Sequence, residues 1–270
     1  MDRGSVGRNL CTGHVPHDPR STFYDPRPSC DNLEVNFPST RRSAVFATGS
    51  ADAGERRQAF EVLVTAYWRP VYKYIRLKWG PSGDEAQDLT QGFFARAIEK
   101  SFFAVYDPAK GSFRTFLRVC LDGFVANERR SAQRIKRGGG IEVLSLDFES
   151  AEGELRQHQP PAGLSMEDYF RQEWVRSLFG LAVESLREEC AAGGKQAHFR
   201  LFERYDLDEE EATYEELAME FGLSVSDVTN YLAFARRQFR RIVLDKLRET
   251  TSDEREFRSE ARLLLGVDPA

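Results

Sequence analysis

One stretch constrains this chain more than any other: TYEELAMEFGLSVSDVTNYLAFARRQFRRIV, beginning at Thr213. Thr213 stands three residues before Glu216, a spacing that lets each side chain satisfy the other residue's backbone N–H at a helix start. Gly222 can take the positive φ that ends such a helix. Ser224, with Asp227 in the turn that follows, starts another. The pattern predicts helix, tight turn, helix, with Leu217, Phe221, Leu223, Val228 and Leu232 filling the angle and Ala218 small enough to allow close approach. Such an arrangement offers its second helix to the major groove of DNA. With Val225, Val228, Leu232, Ala235 and Phe239 assigned to the buried stripe, Ser226, Asp227, Thr229, Asn230 and Tyr231 are left to face bases. Asn can pair with adenine, and an acid can accept from cytosine. Further along, Arg236, Arg237 and Arg240 are candidate phosphate contacts, clustered with Arg241. The plainer alternative is a helical hairpin with an ordinary polar surface.

The remaining chain also reads as helical. Phe60, Leu63, Val64, Tyr67, Val71 and Ile75 fall three or four apart between Glu55 and Gly80, the mark of an amphipathic helix. A second helix is expected from about Asp84 to Lys100, and a third from near Phe113 that turns basic toward its end. Residues 46–137 are thus read as one helical domain. Residues 138–164, with Gly138-Gly139-Gly140 and GELRQHQPPAG, have the composition of an acidic, flexible linker. Residues 165–250 form a second helical domain, and 251–270 a C-terminal extension that folds back or binds a regulator. Residues 1–45 contain several prolines and little periodicity, and are read as a disordered leader. The fold class is all-α, two small domains, in keeping with a 270-residue chain that is only 41% hydrophobic.

A net charge of −5 sits awkwardly with nucleic acid, because phosphate contacts need Lys and Arg. Distribution resolves the conflict. Arg129, Arg130, Arg134, Lys136 and Arg137 have no acid among them, whereas Glu142, Asp147, Glu149, Glu152 and Glu154 concentrate negative charge in the linker. No apolar run could span a bilayer, and no basic-then-apolar signal opens the chain, so a cytoplasmic location and no membrane partner are expected. Cys120 and Cys190 lie within apolar helical patterns, as reduced core thiols do. Cys11, His14, His17 and Cys30 lack the usual zinc spacing, and no metal or cofactor is expected. Gly193-Gly194-Lys195-Gln196 lacks both the earlier Gly and the following Ser or Thr of a phosphate-binding loop. No triad or nucleophile elbow is present, so the chain is read as no enzyme.

The stretch from Thr213 to Val243 resembles region 4.2 of sigma-70 factors. EAQDLTQGFFARAIEK, followed by GSFRTFLRVCLDGFVANERRSAQRIKR, resembles their regions 2.2 to 2.4. Order and spacing agree over roughly residues 55–250, without regions 1.1 or 3, which restricts the resemblance to the extracytoplasmic-function group. The resemblance implies a transcription initiation factor whose partners are core RNA polymerase (the beta-prime clamp helices and the beta flap), promoter DNA, and an anti-sigma factor or other regulator. It implies that Glu85, Asp88, Gln91 and Arg96 dock on the polymerase, with Gly92 standing where the family commonly carries an acid. Arg114, Arg118, Asn127, Arg129, Arg130, Arg134, Lys136 and Arg137 would serve the −10 element, and the second helix of the helix-turn-helix the −35 element. The acidic linker would enter a basic channel of the polymerase. Phe113, Phe116 and Phe124 share the buried period and are read as core. The rival reading is a stand-alone helix-turn-helix regulator that binds duplex DNA as a dimer.

Overall fold

The computed structural model describes residues 43–132, 146–157, 160–161, 163–208 and 210–266. Every regular element among them is helical. In chain order these are α1 (Ala44–Ala47), α2 (Ala53–Trp79), α3 (Gly83–Glu99), two 3₁₀ turns (Phe102–Val105 and Pro108–Lys110), α4 (Phe113–Ala132) and α5 (Phe148–Gln157). Then come α6 (Met166–Ala192), α7 (Gln196–Phe202), a π-turn (Glu203–Leu207), α8 (Tyr214–Phe221), α9 (Val225–Thr250) and α10 (Glu254–Leu265).

Local chemistry sets the boundaries. Asp52 starts α2 by accepting the Glu55 N–H at 2.7 Å, and Gly80, at φ 63°, ends it. Ser82 and Ser165 cap α3 and α6 in the same way. Each such cap satisfies a backbone donor that the helix cannot, a contribution of about 1 kcal/mol.

Helix α2 is the axis of the molecule. Leu63, Tyr67, Val71, Tyr72, Tyr74 and Ile75 are all inaccessible to solvent or nearly so, and they point to different sides of the helix. It packs against α1, α3, α5 and α6 and touches α9. Aromatic rings fill the junctions: Tyr67 stacks on Trp174 of α6 at 6.3 Å and meets the edge of Phe113 of α4 at 5.8 Å. Tyr74 meets Phe170 at 5.4 Å. Such pairs contribute about 0.5–1.5 kcal/mol each beyond the area they bury. Phe113 and Phe124 are buried and Phe116 packs against the core, as their period predicts. The described helices lie in one compact unit, residues 40–270.

The stretch read as a linker contains α5, which is seated firmly on α2. Phe148, Ala151 and Leu155 are buried at helical spacing, and the Phe148 ring contacts Trp68 and Tyr72. Two of the acids expected to be free are paired. Glu152 receives hydrogen bonds from Arg76, at 2.7 and 3.0 Å, and from the Tyr72 hydroxyl at 2.7 Å. The Arg76 bonds come first in holding its carboxyl down, to a pKa of about 2. Glu154 pairs with Arg69 and, at 2.7 Å, with Lys73, whose other partner at 2.7 Å is Glu173 of α6. The acidic composition thus serves docking on a basic stretch of α2, while Asp147 and Glu149 remain exposed. Glu142 lies outside the described residues.

Candidate nucleic-acid interface

Helices α8 and α9 and the turn between them form with the capping that the sequence specifies. Thr213 Oγ1 accepts the Glu216 N–H at 3.2 Å, and Glu216 Oε2 accepts the Thr213 N–H at 2.8 Å. Gly222, at φ 65°, closes α8 in the left-handed region, where a side chain would be strained. Ser224 Oγ then accepts the Asp227 N–H at 3.1 Å, and Asp227 returns a carboxylate oxygen to the Ser224 N–H and hydroxyl. Leu217, Val228 and Leu232 are fully buried in the angle between the helices. Val225 departs from the expected stripe: it is 42% exposed, because it begins α9 before the helix meets its neighbours.

The candidate base-reading residues divide. Ser226, Thr229 and Asn230 are exposed on the outer face of α9. Asp227 is not a free acceptor, since its carboxylate completes the cap. Tyr231 is half-buried with its ring stacked on His198 of α7, centroids 3.8 Å apart and planes 11° apart. Burial, helped by nearby Lys195, pushes the His198 pKa below its ordinary 6.5, so the imidazole is neutral at pH 7.

The arginines of α9 divide as well. Arg236 is held by Asp206 through bonds of 2.8 and 3.0 Å and lies over the Tyr205 ring, so it braces the π-turn against α9 rather than awaiting a phosphate. Arg241 pairs with Glu189 and Asp245. Arg237 is exposed, and Arg240 is half-buried. Arg237 shares the Phe234 ring with Lys195, at 5.9 and 4.4 Å. Lys195 thus joins this basic surface through the fold, with no periodic signal in the sequence to announce it.

On α4 the two ends behave differently. Arg114 is largely buried, bonded to Glu260 of α10 at 2.9 Å and stacked over Trp174 at 4.8 Å. Arg118 is also mostly covered, between Asp122 and Glu167 at 3.5 Å. Neither is free as expected, because the apolar face of α4 carries both toward α6 and α10. Asn127, Arg129 and Arg130 are exposed. Arg129 lies over the Trp79 ring at 5.2 Å and donates to the Trp79 carbonyl, while Arg130 donates to Asn127 Oδ1 at 2.6 Å. Arg134, Lys136 and Arg137 lie outside the described residues.

Helix α3 presents Glu85, Asp88 and Arg96 to solvent and Gln91 at its margin; Arg96 pairs with Glu128 of α4 at 3.2 Å. Gly92 has a packing reason: a Cβ there would lie 3.3 Å from the Phe124 ring of α4, so an acid would push against the neighbouring helix.

Among the described residues, no group of three or more His, Cys, Asp or Glu is arranged to hold a metal ion, and no helix is long and apolar enough to cross a membrane. Cys190 is buried and Cys120 partly so.

Among the described residues every regular element is helical, with the capped pair α8 and α9 and an exposed basic end on α4. Residues 63–135 match the family model for sigma-70 region 2, which supports a member of the sigma-70 family. Comparison with curated proteins and with solved structures gave no match.

Proposed function

We propose that the chain is a sigma factor of the extracytoplasmic-function type. Residues 46–137 dock on core polymerase through the face bearing Glu85, Asp88, Gln91 and Arg96 and open the −10 element, and residues 165–250 read the −35 element. One conjunction supports this reading: a region 2 match over residues 63–135 is followed in the chain by a doubly capped helix-turn-helix with Ser226, Thr229 and Asn230 exposed. Exposed Asn side chains can read adenine in the major groove. At the other site, Asn127, Arg129 and Arg130 are suited to a melted strand, which proteins hold through its phosphates and unstacked bases. The chain itself performs no chemistry in this reading and acts in the cytoplasm by placing the polymerase.

The test is reconstitution with core RNA polymerase on genomic promoter fragments. Promoter-specific run-off transcripts that need both components are the expected outcome. Specific duplex binding without polymerase, with no transcript, would overturn the proposal in favour of a stand-alone dimeric regulator.

A further inference from the structure

Helix α10 crosses to the start of α4, and its contacts there are unusual in kind. Its apolar anchor is Phe257 with Ala261, both buried. The Arg248 guanidinium of α9 lies 4.0 Å over the Phe257 ring and bonds Glu254 at 2.9 Å, which ties α10 to α9. Two acids turn inward. Glu260 takes Arg114 at 2.9 Å. Glu256 accepts the Phe113 backbone N–H at 2.9 Å and, with its other oxygen, the Ser252 N–H at 2.7 Å and hydroxyl at 2.6 Å. The preceding residues are fastened too: the Ser252 hydroxyl lies 3.3 Å from the Tyr106 hydroxyl, and Ser43 donates to the Thr251 carbonyl.

Arginine and backbone N–H groups are what proteins use to hold phosphate oxygens. The inward acids of α10 set carboxylate oxygens against one of each, on the helix whose far end carries the exposed Asn127, Arg129 and Arg130. We propose that α10 is an autoinhibitory latch: docked, it keeps Arg114 paired within the protein, and undocked, it releases Arg114 to a nucleic-acid strand. This rests on the reading of α4 as a strand-binding helix. Undocking would turn on Thr251–Asp253, between α9 and α10, and would break the Glu256, Glu260 and Ser252–Tyr106 contacts together while leaving the α2–α6 packing in place.

The experiment measures binding of the full chain to single-stranded poly-dT, alone and with core polymerase, at two salt concentrations. Glu260→Gln is expected to bind about three- to tenfold more tightly than wild type, with a steeper salt dependence from the added Arg114 contact. Adding Arg114→Gln should abolish that gain. Should Glu260→Gln melt early from leaving Arg114 unpaired, Phe257→Leu, which loosens α10 without touching the pair, decides in the same way. Folded variants that bind no better than wild type, while Arg129→Glu with Arg130→Glu abolishes binding, overturn the latch and leave the strand-binding reading standing. If no form of the protein binds the strand under either condition, that reading falls and the latch with it.

Discussion

Helices α4 and α9 are both rich in arginine, yet they use it in opposite order. In α4 the early arginines, Arg114 and Arg118, are turned inward and paired with acids, and the exposed cations come at the end. In α9 the early turns are exposed and polar, and the arginines that follow are partly committed, Arg236 to Asp206 and Arg241 to Glu189. A cluster of basic residues is therefore not yet a basic surface. Charge becomes available to a partner only where the fold brings no carboxylate within reach, and that depends on which helices pack nearby.

This contrast can be broken most forcefully at the exposed end of α4. Reversing Arg129 and Arg130 to Glu should lower open-complex formation at least tenfold, followed by permanganate reactivity of unpaired thymines, with duplex binding through α9 little changed. Wild-type melting would refute the role assigned to that end. On α9, Asn230→Ala should cost about 1–3 kcal/mol of promoter affinity and relax preference at a single base pair. A uniform loss across sequences would show that Asn230 does not read bases. The two kinds of arginine on α9 should separate cleanly. Arg236→Ala is expected to lower stability by about 1–3 kcal/mol in urea unfolding. Arg237→Ala should leave stability alone and reduce the salt slope of DNA binding by about one. The smallest effect concerns α5. The Glu152 carboxyl, bonded by Arg76, titrates at about 2 rather than its ordinary 4.5. Its contribution to stability is therefore complete above the unfolded value and is lost as pH falls through about 2. Glu152→Gln should flatten that part of the acid unfolding curve, and an unchanged curve would mean that Arg76 does not hold α5.

Much of this architecture was legible in the residues themselves. The caps at Thr213 and Ser224 and the stop at Gly222 are local chemistry, and the apolar period of α2 needs no partner to be seen. What escaped was settled by packing between distant segments. Asp227 reads as a base contact until its carboxylate is found completing a cap. Arg114 and Arg236 read as DNA contacts because Glu260 and Asp206 are far away in sequence. Helix α5 could have been found, since Phe148, Ala151 and Leu155 keep helical spacing, but the surrounding Gly, Pro and acids resemble a linker. Gly92 looked like a missing acid because the Phe124 ring that occupies its space belongs to another helix.

Lys73 carries a consequence for how the molecule assembles. The residue is 3% exposed, and its ammonium lies between Glu154 of α5 and Glu173 of α6, which come from separate stretches of chain. Removing either carboxylate leaves the ammonium with a single ionic partner and one buried N–H donor unmet, a cost of about 1–3 kcal/mol. Intermediates that have gained only one of the two helices are thereby disfavoured, and α5 and α6 should close on α2 in a single cooperative event.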